Sequence, residues 1–175
     1  MKKTLLVLAA PALFFIASCG GSKTEENKTM EGMKEYTLKI NGNDLSVMVP
    51  DSTIGLLEVT EQSCGAVELK VGANFNMSIE ENDGDVALMK TDINGNEVFK
   101  LQRYIKDEPT LLFWEAKNAD MPDPRFHFYS ILKVGNASYV VKDVERPEAY
   151  NEKAIQFMLD ASKTLTSKAA QKANS

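Results

Sequence analysis

The chain holds one histidine, one tryptophan, two cysteines and ten scattered glycines in 175 residues. Each scarcity removes a class of chemistry. With His127 alone, a zinc site would have to rest on carboxylates and Cys64, a poor set for a metal that favours several nitrogen or sulfur ligands. No GxGxxG or Walker-type run exists, so the backbone cradle that nucleotide phosphates need is missing and no cofactor is expected. The longest apolar stretch, residues 5–16, makes a helix of about 18 Å at about 1.5 Å per residue, short of the roughly 30 Å hydrocarbon core. A permanent membrane span is not expected from it.

That stretch has another use. Lys2 and Lys3 precede it, and the small Ala17 and Ser18 follow it, the layout of an export leader. Its end, Ile16-Ala17-Ser18-Cys19, resembles the lipobox of bacterial lipoproteins: a branched apolar residue, two small residues, then the acceptor cysteine. The resemblance implies cleavage before Cys19, a diacylglyceryl group on its thiol, and attachment to the cell outer membrane. Each buried CH₂ contributes about 0.8 kcal/mol, and two or three acyl chains hold a protein stably where one does not. Loss of residues 1–18 leaves 18 basic against 25 acidic residues, a formal net charge of −7 that disfavours nucleic acid and anionic headgroups. The membrane, through lipid on Cys19, is thus one expected partner; the other is an unidentified envelope protein or ligand.

Residues 19–34 are Gly, Ser, Lys, Thr, Glu and Asn with few apolar side chains, too little to offset ordering entropy, and read as a tether. Lys23-Thr24-Glu25-Glu26 looks like the lysine-then-acidic signals that send some lipoproteins to the cell exterior, and equally like a solvated linker. Gly20 lacks the aspartate associated with inner-membrane retention. Residues 35–168 fit one domain, with a disordered tail at 169–175.

Within the domain, residues 35–40 and 45–49 flank Asn41-Gly42 as a hairpin would, with Pro50 closing it. Residues 56–60, 66–71 and 75–79 are further short strands. Residues 83–93 predict a helix capped by Asp83 or Asp85, with Val86, Met89 and Ile93 on one face and Asn94-Gly95 at its end. The repeat of Asn-Gly reads as the same turn chemistry used twice. Four strands follow at 98–105, 110–116, 125–134 and 137–143. Pro147 suits the first turn of a closing helix whose inner face is Tyr150, Ala154, Phe157, Met158, Ala161 and Leu165. Short turns and a closing helix argue for an α+β fold, a mostly antiparallel sheet packed against helices. The run from Phe126 to Leu165, two adjacent strands around Gly135 with Tyr139 and then an amphipathic helix, resembles the C-terminal half of PsbP-like α/β sandwiches. That resemblance implies a binding or assembly subunit.

Candidate chemistry is sparse. His127, in Phe126-His127-Phe128-Tyr129, should point to the face opposite Phe126 and Phe128. Cys64 is the one thiol that lipidation leaves, and free cysteines are usually buried. Its setting Gln62-Ser63-Cys64-Gly65 could act as a nucleophile turn only with His127 as base. The acids of Glu80-Glu81-Asn82-Asp83-Gly84-Asp85 do not fit an EF-hand, because alignment on Gly84 puts Ile79 and Lys90 at ligand positions. A looser calcium loop and a helix-capping turn are the two readings left. Trp114, Phe126, Phe128 and Tyr129 read as core. The expectation is a non-enzymatic binding or assembly domain without catalytic or metal residues. The alternative is an envelope hydrolase using a carboxylate pair, as glycosidases do, or Cys64 with His127.

Overall fold

A computed structural model describes residues 31–168. The leader, Cys19, the lipobox, most of the tether and the 169–175 tail lie outside the described residues. The chain forms β1 (Met33–Ile40), β2 (Asn43–Pro50), β3 (Leu57–Glu61), β4 (Val67–Val71), β5 (Phe75–Glu81), α1 (Val86–Gly95), β6 (Lys100–Glu108), β7 (Leu111–Lys117), β8 (Arg125–Val134), β9 (Ala137–Asp143), α2 (Glu152–Ser162) and β10 (Thr166–Ser167). It is a sheet-rich α+β fold, as the strand and helix spacing predicts.

The strands divide into two antiparallel sheets rather than one. The larger has the order β3-β4-β5-β9-β8-β7-β6, and the smaller is β1-β2-β10. Local patterning does not show the small sheet's third strand, since β10 is two residues long and owes its place to Thr166 and Ser167 pairing with Ser46 and Leu45. Helix α2 lies between the sheets, touching β2 of one and β5, β8 and β9 of the other. Enclosure on two sides widens its buried face: Ile155 and Leu159 are fully buried beside the expected Ala154, Met158 and Ala161. Val47, Val49, Leu69, Met77, Phe113, Phe128 and Val141 complete this main core. On the opposite face of the large sheet, Leu112, Trp114, Ala116, Tyr129 and Val140 pack with Ile93 of α1 in a second, smaller core.

Several expectations need correction. The first strand starts at Met33, already buried, two residues before the strand expected from residue 35. Asn41-Gly42 does turn β1 into β2 with both residues at positive φ, 48° and 87°. Asn94-Gly95 does not repeat that chemistry: Gly95 is the last helical residue, and Asn96 caps α1 in an extended conformation. Pro147 does not begin α2. Arg125 donates from Nη1 to Arg146 O at 2.9 Å and from Nη2 to Pro147 O at 2.6 Å, holding that stretch out of helical geometry. The helix starts where Asn151 Oδ1 accepts from Ala154 N–H at 2.9 Å.

Arg146 continues the clamp, bonding Ala73 O and Ala149 O while its guanidinium lies 4.0 Å from the Tyr150 ring. Burial of Tyr150 pushes its phenol up from 10.0 to about 12, against the opposing charge of Arg146 and with Asp143 adding to the rise. The unfolded chain therefore releases this proton from about pH 10 and the folded chain keeps it to about pH 12, so stability falls across that window. Tyr150→Phe removes the difference, and its alkaline unfolding, followed by circular dichroism, is expected at higher pH than that of the unaltered chain.

Candidate functional site

The histidine points as the strand alternation dictates. Phe126 and Phe128 of β8 face the main core, and His127 faces the other side of the large sheet. Directly across the ladder stands Trp114 of β7, and the two rings lie 5.3 Å apart at 31°. His127 is buried rather than solvent-covered, at 9% exposure.

What holds it there was not legible in the sequence. The β8–β9 ladder ends at the pair Tyr129 and Lys142, while β8 continues alone with β7 to Arg125. The next residue of β9, Asp143, fills the gap with its side chain. Its Oδ1 accepts from the Phe128 backbone N–H and its Oδ2 pairs with His127 Nδ1, both at 2.8 Å. One carboxylate, only 3% exposed, thus closes the ladder and orients the imidazole. The contact engages Nδ1, so Nε2 is the ring nitrogen that Asp143 leaves without a bond. The signal that could have found Asp143 is its place at the end of a strand paired with the one carrying His127.

His127 and Trp114 form part of the wall of a cleft of about 400 Å³. Its origin is the short α1. That helix packs beside β6 and covers the β6–β7–β8 half of the sheet face, where the side chains are apolar. The β4–β5–β9 half stays uncovered and is polar: Glu68, Ser78 and Lys142 lie in one register row, with Glu80 two residues along β5. Gln62 and Cys64 from the β3–β4 connection, Met89 of α1 and Glu145 beyond β9 complete the lining. A smaller depression of about 110 Å³ continues under α1 past Met89, Trp114 and His127 toward Asn96 and Arg125.

The structure brings Cys64 and His127 to this one cleft, but no hydrogen bond joins them. Cys64 is also exposed, contrary to the burial expected of a free thiol, because it sits in a tight turn closed by Gly65 N–H to Gln62 O at 2.9 Å. Of the acids at 80–85, Asp85 serves the strand-to-helix turn, Glu80 lines the cleft and Glu81 accepts from Asn43. Asp85 caps α1 by accepting from Ala87 and Leu88 N–H at 2.8 and 3.0 Å, and Asn82 Oδ1 accepts from Gly84 N–H at 2.8 Å. Among the described residues no group of three or more His, Cys, Asp or Glu side chains is placed to hold a metal ion. Nor is any helix there long and apolar enough to cross a membrane.

Asp143→Ala leaves a buried imidazole and a buried backbone N–H without their acceptor. Unfolding by urea is expected to show a loss of about 3–5 kcal/mol. Asp143→Asn keeps a carbonyl for one of the two donors and should lose less than half as much.

Comparison with known proteins gives no relative: no protein-family model, no curated protein and no solved structure matches the chain.

Proposed function

We propose that the chain is a lipid-anchored protein of the cell outer membrane, acylated on Cys19, whose domain is a non-enzymatic binding module with its ligand seat in the cleft over β4, β5 and β9. The observation that carries the binding part is the fixed His127–Asp143 pair beside Trp114 within a cleft walled by carboxylates. The volume suits a small molecule or a single side chain of a larger partner. The succession of β8, β9 and α2 supports a PsbP-like sandwich, a class whose members serve mainly as binding or assembly subunits.

The lining selects the chemistry of the occupant. Glu68, Glu80, Asp143 and Glu145 face one cation, Lys142, so the lining calls for hydrogen-bond donors. Aromatic faces at His127 and Trp114 also attract cations. The ligand is accordingly a hydrogen-bond donor bearing positive charge, such as an amine or a basic side chain. A second reading, hydrolysis by Cys64 with His127 or by a carboxylate pair, is favoured by one observation: Cys64, His127, Glu68 and Glu80 line the same cleft.

Trp114 is the only tryptophan, so its emission reports on the cleft. Titration with spermidine is expected to change that emission saturably, with citrate as the inert control and Glu68→Gln with Glu80→Gln weakening the response at least tenfold. A response to citrate alone would overturn the assigned charge preference. For the anchor, the mass of the native protein should correspond to a chain starting at Cys19 plus two or three acyl chains. Cys19→Ala should be left uncut or be released from membranes, and ordinary membrane retention of a processed Cys19→Ala chain would sink the lipoprotein reading.

A further inference from the structure

We infer that the loop bearing Ile54 and Leu56 is a second membrane contact, inserting shallowly into the bilayer that carries the anchor; this rests on the lipoprotein reading above. Leu56 is 82% exposed and Ile54 50%, and Val59 nearby in the edge strand β3 is 40% exposed. The other exposed large apolar residues, Leu88, Val98 and Met121, are dispersed over α1 and two connections.

The exposure belongs to an ordered loop. Asp51 Oδ1 accepts from both the backbone N–H and the hydroxyl of Thr53, and Ile54 N–H donates to Asp51 O at 3.2 Å. Gly55 lies backbone to backbone on the turn between β4 and β5, so that a Cβ at Gly55 would stand 2.8 Å from Gly72 N. Gly72 itself sits at φ +58°, in the left-handed region that favours glycine. The loop is thus pinned to the sheet while its two aliphatic side chains are held outward.

Where the tether joins the domain decides what meets them. Gly32 O accepts from Asp51 N–H at 2.9 Å, so the chain coming from Cys19 reaches the domain at the root of this loop. The dozen residues from Cys19 to Met30 span at most about 40 Å even when fully extended. A domain of this size has a radius of gyration of about 14 Å, so the reach is about one domain diameter. A surface so close is met at an effective concentration on the order of millimolar, where a contact too weak to act alone becomes populated. Of the acids flanking the loop, Glu58 is paired with Lys70 at 3.0 Å and Asp51 lies in the field of Lys34, which lessens the acidity met by an approaching surface. Side chains such as Leu and Ile entering the headgroup–acyl boundary lose water-exposed apolar surface at no polar cost.

The test uses the full acylated protein in phosphatidylcholine vesicles. Leu56→Cys in a Cys64→Ser background offers one free thiol for an environment-sensitive fluorophore, since Cys19 carries the lipid. Asn136→Cys in the same background places the label in the β8–β9 turn at the other end of the sheet. A blue-shifted emission quenched by nitroxide lipids at position 56, with a water-like emission at 136, is the expected result. A water-like emission at 56 in protein that still floats with vesicles would overturn the loop contact and leave the anchor standing. Failure to float would overturn the anchor, and the loop contact with it. Shielding of position 56 without vesicles would assign the patch to a second copy of the chain and also overturn the proposal.

Discussion

The site depends on the Asp143 carboxylate. Two neighbouring strands part company at its position, and an unpaired backbone N–H in the interior would cost about as much as a lost hydrogen bond. Asp143 supplies the missing acceptor and spends its second oxygen on His127. Because that second bond fixes the ring, the imidazole lies tilted against Trp114 at 31° with one nitrogen committed to the carboxylate. The repair of the strand end and the orientation of the imidazole are therefore one carboxylate's two bonds.

The two faces of the large sheet are finished differently, and the cleft follows from the difference. On one face α2 and the small sheet together exclude water from a continuous apolar layer. On the other, ten residues of α1 cover only the half that carries Leu112, Trp114, Ala116 and Tyr129. The remaining half has no helix over it, and Glu68, Glu80 and Lys142 there are residues that could not have been buried cheaply under such a helix. Polarity there is the counterpart of missing cover.

Elements whose pattern is local were legible in the sequence. Strands β8 and β9 fall where alternation and the Gly135-Asn136 turn put them, and Asp85 caps α1 as its type suggests. What escaped was set by distant partners. Pro147 looks like a helix start until Arg125, from β8, takes its carbonyl. Ile155 and Leu159 were outside the expected face because that face assumed one sheet and the helix meets two. The direction of His127 was legible from period two alone, whereas its partner was not, since no spacing rule links positions 127 and 143 across a ladder that ends between them. Residue type alone cannot register the turn that holds the Cys64 thiol exposed at the cleft.

The topology also separates attachment from recognition. The tether enters through β1, and β1 belongs to the small sheet on the α2 side of the large one. The cleft opens on the reverse face, beside α1. On the proposed anchoring, lipid on Cys19 and the pinned loop at Ile54 hold the domain by one side and one end, and neither occupies the face where Glu68, Glu80 and His127 lie. The thickness of the seven-stranded sheet stands between the two. On that anchoring a ligand arriving from the aqueous side meets the acidic lining directly, while the loop that carries the exposed Ile54 and Leu56 is the part that rests against lipid.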